Sequence, residues 1–391
     1  MPHKVLFVDP RLSHITGGAE RLTVEKILAL DPNRFAVTVL TRAGRRESAL
    51  FGALRRARPD VDLIQITDYS RIDSRIDDDR VQDFVAAHRG QALVNRDETV
   101  DDAICFNTHA KAIVERADWD LVSFSFLTDL FGLEPRCPVA FHIYGLPPAD
   151  MVAAEAPLLR RVSAISAVSG YVRDEFCALF GGACPPRRVT LLRPALPIRF
   201  LSPVTRGKRD IDFAYVGRLV QRKGVDTAIR ALAGFGRASD VRPTLAIAGA
   251  GPEQQSLLRL CRDLDVEQQV RFCGALDAAG LIALLDRVRW FLHPGRKPEA
   301  FGLAGLEAMA RGVPCLVSTP GGMREYLRDG HNGWEIPTSD TDLFAARMQA
   351  VLREADQDLA LRSQARATAE RFSRQHFESA VNRFYAAALE I

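Results

Sequence analysis

Residues Lys297 to Pro314 read KPEAFGLAGLEAMARGVP, with two carboxylates, Glu299 and Glu307, on either side of a glycine. An apolar run into His293-Pro294 precedes the stretch, Phe301-Gly302 hands a loop over to the helical pattern LAGLEAMAR, and a tight turn follows at Gly312. Glu299 falls in the loop and Glu307 on the helix. The first amides of a helix lack intrahelical acceptors and its macrodipole favours anions there, so a helix opening at Gly302 is a cradle for phosphate. Carboxylates beside that cradle repel phosphate but accept hydrogen bonds from the hydroxyls of a ribose or a sugar. The pattern points to a sugar nucleotide, with its diphosphate on the amides and its hydroxyls on Glu299 and Glu307. The plainer alternative is a surface helix with an acidic first turn.

Working outward, the totals bound the answer. At 391 residues the chain is longer than one core supports, which predicts two domains. Hydrophobic content of 47% with 26% charged residues is that of a globular protein. Lys+Arg 52 against Asp+Glu 49 leaves +3, and residues 1–200 carry 26 of each sign, so neither half has the basic excess of a nucleic-acid binder. The cysteines at 105, 137, 177, 184, 261, 273 and 315 form no CxxC pair and no zinc spacing, and read as reduced thiols. Met1-Pro2-His3-Lys4 leads into a strand-like run rather than a signal peptide, and no apolar stretch approaches the roughly 18 residues of a membrane span. The expectation is a soluble cytoplasmic enzyme.

In the first half, KVLFVD (4–9) is the continuous apolar run of a strand covered on both faces. A loop then reaches Gly17-Gly18 and a helical pattern through Leu22, Ile27 and Leu30. GxGxxG is absent, so a dinucleotide site is not indicated; the paired glycines let a ligand approach the backbone, or serve a turn that needs positive φ. FAVTVL (35–40) is a second strand. Arg42, Arg45, Arg46, Arg55, Arg56 and Arg58 then surround Leu50, Phe51 and Leu54, which reads as a surface helix or a contact with anionic lipid at the inner membrane face. Further strands are expected at 63–66, 121–126, 139–143 and within 161–168. The strand at 139–143 carries His142, which either reaches a ligand or caps a strand edge. Pro194, Pro197 and Pro203 mark a linker.

The alternation restarts at IDFAYV (211–216), which argues for a second parallel α/β domain. Its first turn, GRLVQRKG (217–224), places Arg218 and Lys223 just before a helix. Cations there oppose the macrodipole, so their use is a neighbouring anion, and a diphosphate fits two separated charges; the alternative is a solvated basic turn. Strands follow at 244–248, 270–274, 288–293 and 314–318, with Gly321-Gly322-Met323-Arg324-Glu325 at another helix start and helices over 341–352, 359–371 and 375–389.

Taken in order, GGAER, SAVSGYVRDEF, VGRLVQRKGVD, AGAGPE, VRFCGAL, the two glutamates with seven residues, FG among them, between the two, and GGMREYLRDGHNGWEIP resemble the family 4 glycosyltransferases, retaining enzymes of the GT-B fold. The opening FVDPRLSHITGGAERLTVEKILAL is similar to mannosyltransferases acting on lipid-linked oligosaccharides. The resemblance implies two Rossmann-like doubly wound α/β domains facing across a cleft: residues 1–200 for the acceptor, 201–372 for the nucleotide sugar, and a helix over 373–391 returning to the first domain, with closure about Pro194 to Pro203.

It also implies roles. Arg218 and Lys223 match the pair on the donor diphosphate, with Gly217 opening their loop; Glu307 matches the glutamate on the ribose, and Glu299 the one on donor-sugar hydroxyls. Gly302, Leu303 and Ala304 match backbone facing sugar and phosphate, His142 a histidine near the donor sugar, and Gly17 and Gly18 a loop over the diphosphate. No cofactor and no metal are expected, since Asp77-Asp78-Asp79 lies in a charged run rather than in a DxD position. The activity implied is transfer of a hexose from a GDP- or UDP-linked donor to a glycan, lipid-linked or small-molecule acceptor. An epimerase or hydrolase of the same fold, or a non-catalytic partner subunit, are the alternatives. Two positions depart from the family pattern: Gly295 stands where serine is usual, and Ala300 where glycine is, its methyl placed to strain the turn or reshape the sugar pocket.

Overall fold

The computed structural model describes residues 1–13, 17–44, 47–67, 100–204, 207–238, 242–337, 340–353 and 358–390; Arg45, Arg46 and Asp77-Asp78-Asp79 lie outside them. Two wholly parallel sheets organise the chain. In the first, β1 (His3–Val8), β2 (Phe35–Arg42), β3 (Asp62–Ile66), β4 (Leu121–Phe124), β5 (Val139–Ile143), β6 (Ala164–Ala167) and β7 (Val189–Leu191) lie in the order β3-β2-β1-β4-β5-β6-β7. In the second, β8 (Ile211–Val216), β9 (Leu245–Ala248), β10 (Val270–Gly274), β11 (Val288–His293), β12 (Cys315–Ser318) and β13 (Gly333–Ile336) lie in the order β10-β9-β8-β11-β12-β13.

Parallel strands need crossovers, and the described helices supply them: α1 (Gly18–Ala29), α2 (Ala49–Ala57), α3 (Val100–Val114), α4 (Val152–Leu159) and α5 (Gly170–Phe180), then α6 (Val225–Ala238), α7 (Gln254–Asp263), α8 (Ala278–Leu285), α9 (Leu303–Ala310), α10 (Thr341–Arg353), α11 (Asp358–Glu370) and α12 (Arg374–Leu389). Central strands of such sheets are covered on both faces, which is why they read as unbroken apolar runs, while the edge strands β3, β10 and β13 are only partly buried. Val5 to Val8 and all four residues of β12 are buried.

Each sheet reverses its direction of growth once, between β1 and β4 and between β8 and β11. At such a reversal the loops leaving two neighbouring strands diverge and open a crevice beyond their carboxyl ends.

The chain divides into two compact units, Met1–Arg193 with Gln375–Ile391, and Pro194–Arg374. The last helix, α12, packs into the first unit through Phe377, Val381, Phe384, Tyr385 and Ala388. The proline-punctuated stretch expected as a linker is packed on the second unit. Leu196 and Phe200 are buried there, Arg311 donates to the carbonyls of Phe200 (3.0 Å) and Ser202 (2.7 Å), and Arg366 donates to that of Leu201 (2.8 Å).

Three local readings change. Gly321–Glu325 is a 3₁₀ turn rather than the start of an α-helix, and β13 and α3 were not foreseen. Arg42 and Arg58 are buried, Arg58 donating to the carbonyls of Ile27 and Leu30. Among the described residues of that segment, Arg55 and Arg56 on α2 are left at the surface, with Arg55 paired to Glu47 at 2.9 Å. No helix among the described residues is long and apolar enough to cross a membrane.

Candidate functional site

In the second unit, β8 and β11 run side by side, Phe213 opposite Trp290 and Ala214 opposite Phe291, so their carboxyl ends open onto the same crevice. From β8 the chain turns at Gly217 and passes through a 3₁₀ turn, Gln221–Lys223, into α6; from β11 it passes through Pro294 and Glu299 into α9. The two loops are tied together. The Arg296 amide donates to the Arg222 carbonyl (3.0 Å), and its guanidinium reaches the Gln221 carbonyl (2.9 Å) and both oxygens of Asp226 (2.8 and 2.6 Å).

This arrangement brings Lys223 and Glu299, 76 positions apart in sequence, into a hydrogen-bonded ion pair with side chains only 16% and 13% exposed. Burial pulls the Glu299 carboxyl up, but Lys223, His293 and Arg222 together outweigh burial, Lys223 foremost, and hold it below the usual carboxylate range. The His293 imidazole lies on the other side, Nε2 3.5 Å from Glu299 Oε1. Burial drives that ring down to about 4 against the pull of Glu299, with Lys223 and Arg222 adding to the fall, so it is neutral at pH 7.

Gly302 opens α9 at φ 80°, where a Cβ would meet Met323 Cγ at 2.5 Å and the Tyr326 hydroxyl at 2.9 Å, so glycine is required on both counts. Tyr326 donates to the Gly302 carbonyl. Its phenol is pushed far up by burial and by the nearby Cys315, Glu299 and Glu307. Glu307 is 5% exposed on α9. Leu303 and Ala304 are half-buried in the first helical turn, where amides have no intrahelical acceptor. The Gly322 amide, from the 3₁₀ turn, donates to the Glu299 carbonyl (2.7 Å) and fixes the loop from behind. Gly217, at φ 156°, leaves its Cα side to the Tyr215 ring, and Tyr215 donates to the Arg218 carbonyl (2.9 Å). The Arg218 side chain is exposed and has no ion pair among the described residues. Ala300 stays out of the left-handed region, so its methyl adds no backbone strain.

Gly217, Arg218, Lys223, Glu299, Gly302, Leu303 and Ala304 thus lie on the two loops that leave β8 and β11 and in the first turn of α9, with Glu307 buried further along that helix, all in one unit. The others lie in the first unit. Gly17 is the residue before α1, without a side-chain cap, and a Cβ at Gly18 would meet nothing within 4 Å, which leaves the amides at that helix start approachable.

His142 does not reach a surface, and the expectation of a sugar contact is corrected. It is 2% exposed, with Nδ1 2.6 Å from Ser166 Oγ and Nε2 3.0 Å from Ser123 Oγ and 2.8 Å from the Tyr385 hydroxyl. Both ring nitrogens are occupied, and burial, with Lys26 nearby, holds the ring neutral. It is a strut joining β4, β5, β6 and α12.

Sequence reasoning missed His293 and Tyr326 in the second unit and, in the first, a buried polar core at the ends of β1 and β4. There Arg11 donates to Asp129 (2.7 Å) and lies 3.7 Å from the Phe126 ring centroid, and Ser125 donates to Asp9 (3.0 Å). The sequence shows that these groups follow strands; it does not show which way each one turns.

Residues 202–368, the segment that holds the site, match the family described as glycosyl transferases group 1. Over 223 residues the chain is 34% identical to a glycogen synthase of Mycobacterium tuberculosis, covering 56% of this chain and 52% of that one. It is 27% identical over 232 residues to a GDP-mannose-dependent alpha-(1-6)-phosphatidylinositol monomannoside mannosyltransferase of the same organism, covering 54% and 59%. The chain thus spans about half the length of the curated relatives it matches. Solved structures extend the likeness to the whole chain. The sucrose-phosphate synthase of Thermosynechococcus elongatus superposes with a TM-score of 0.77 at 15% identity over 98% of both chains. The Anabaena protein Alr3699/HepE, in complex with UDP and glucose, does so with a TM-score of 0.73 at 18% identity over 99% of both.

The fold is GT-B. Its two Rossmann-like units are the two parallel sheets described above, and the crevice between the ends of β8 and β11 is the switch point of the second GT-B unit.

Proposed function

We propose that this protein is a retaining, metal-independent hexosyltransferase that takes a hexose from a GDP- or UDP-linked donor and passes it to a glycan, lipid-linked or small-molecule acceptor. The observation that carries the reading is the Lys223–Glu299 pair standing at the switch point beside the glycine-capped start of α9. It sets one cation and the open end of a helix next to two carboxylates, which is what a diphosphate flanked by two hydroxyl-bearing sugars requires. The group 1 family match over residues 202–368 supports it, as do the nucleotide-sugar names and titles of the relatives.

On this reading Lys223 and Arg218 share the charge of the diphosphate as the glycosidic bond breaks, and the amides of Leu303 and Ala304 meet the phosphate oxygens. Glu299 holds donor-sugar hydroxyls and Glu307 those of the ribose. The acceptor hydroxyl attacks from the face the diphosphate leaves, giving its proton to the departing β-phosphate, so no protein nucleophile is needed. Groups aimed at developing charge in a shielded site are each worth about 10²- to 10³-fold in rate.

A thermal-shift screen against UDP-, GDP- and ADP-linked glucose and mannose identifies the donor as the ligand that raises the melting temperature most. With that donor, Lys223→Ala and Glu299→Ala are each expected to lose about 100-fold or more of transfer, in line with the loss of a single charge-stabilising group. Near-normal transfer in either variant removes the assigned role. Transfer that survives EDTA supports metal independence, and turnover of the donor with no acceptor present would instead favour an epimerase or hydrolase.

A further inference from the structure

His293, the last residue of β11, is 5% exposed, and its Nε2 has no hydrogen-bond partner among the described residues. A buried polar atom left unpaired costs about 1–3 kcal/mol, so an orphan at the wall of a site asks for a use. The nitrogen points at Glu299 from 3.5 Å, just beyond hydrogen-bond distance, and at the same oxygen, Oε1, that Lys223 holds. Gly295 makes room for it. A Cβ at that position would lie 2.8 Å from Nε2 and 3.3 Å from Cδ2, and the loop cannot step aside because Ser318 Oγ donates to the Gly295 carbonyl (2.9 Å). The glycine that departs from the family pattern is therefore matched by an imidazole occupying the vacated space.

The donor reading creates a difficulty for Glu299. Lys223 serves the diphosphate when a donor is bound, and a largely buried carboxylate that loses its cation is strongly disfavoured unless another donor replaces it. We propose that His293 is a positioning residue that takes over Glu299 when Lys223 turns to the donor diphosphate, its Nε2–H closing the gap and holding the carboxylate on the sugar hydroxyl. The charged groups facing the ring are Glu299, Lys223 and Arg222. Departure of Lys223 toward an anion favours a proton on Nε2, and so does the carboxylate it leaves behind. The inference rests on the donor reading of this site.

The test is a double-mutant cycle read by calorimetric binding of UDP, GDP and ADP, which engage Lys223 without a sugar. For whichever of the three the wild-type chain binds best, His293→Leu is expected to weaken binding about tenfold, equivalent to 1.4 kcal/mol. His293→Gln, which restores an N–H near the Nε2 position, is expected to stay within about threefold, and in a Glu299→Gln background His293→Leu should change binding by less than about twofold, since no carboxylate remains to be held. Equal weakening in both backgrounds marks a merely structural histidine and overturns the proposal, as does no weakening in either. If His293→Leu does not fold by circular dichroism, His293→Asn, whose amide does not reach the Nε2 position, takes its place in the cycle. Failure of the donor reading looks different: the wild-type chain binds none of the three nucleotides, or Lys223→Ala leaves their binding unchanged.

Discussion

Glu155, on α4, is 6% exposed, and its carboxyl stands near that of Asp129. Burial, and then the Asp129 charge, push it from the usual 4.5 up to about 8. A carboxyl whose folded pKa is raised contributes stability that is fully present below about 4.5 and is lost as pH rises through 8. The shift corresponds to at most about 5 kcal/mol. Glu155→Gln keeps the shape without the titration, so the variant should match the wild type near pH 5 and melt progressively higher than it between pH 6 and 9. A difference that stays flat with pH would mean the carboxyl is not protonated in the folded chain. Glu155 was invisible in the sequence because AAEAPLL carries no sign that its glutamate faces inward. Lys223 and Glu299 were legible, since each is a charge in a loop after an apolar strand. His293 was visible as a residue but not as a neighbour of Glu299, because that contact depends on the space Gly295 leaves in three dimensions.

Among the elements, α12 shows how a helix with a modest apolar stripe is held in place. Its Tyr385 hydroxyl is 2.8 Å from Ser123 Oγ on β4 and 2.8 Å from His142 Nε2 on β5, and the Tyr385 ring is 5.5 Å from that of Phe7 on β1. Tyr385→Phe keeps the ring packing and removes the hydroxyl's hydrogen bonds to Ser123 and His142, which then keep only each other there, at a cost of about 0.5–1.5 kcal/mol per bond in urea unfolding. The same variant should leave the donor KM unchanged, because His142 supports the sheet rather than the sugar; a donor KM that rises with the loss of Tyr385 would return His142 to the donor site. The strands were legible where they are long apolar runs, as at β1, β8 and β11. β13 was not, because GWEI alternates with polar neighbours in an edge strand that is only partly buried. The Gly321–Glu325 turn resembled a helix start because paired glycines mark both, whereas here they let the turn pack on the Glu299 backbone.

For the whole molecule, the chain order and the energetic order differ. α12 follows the second unit in sequence but belongs to the first, so residues 375–391 complete a core begun at residue 3. Its buried Phe377, Val381, Phe384 and Tyr385 contribute about 2 kcal/mol each, roughly 8 kcal/mol together, which is comparable with the entire 5–15 kcal/mol that a typical domain has to lose. A chain ending at Arg374 should therefore lose its first unit and keep its second. The three tryptophans report on this separately, because Trp119 is buried in the first unit, where its indole donates to the Ile113 carbonyl, while Trp290 and Trp334 belong to the second. In the truncated chain the fluorescence difference between the parent and its Trp119→Phe variant is expected to be that of a solvent-exposed indole, while the signal left in the variant keeps a cooperative thermal transition. A Trp119 signal that stays buried and melts cooperatively would show that the first unit closes its core without α12. Loss of both signals together would show that the second unit cannot fold without the first.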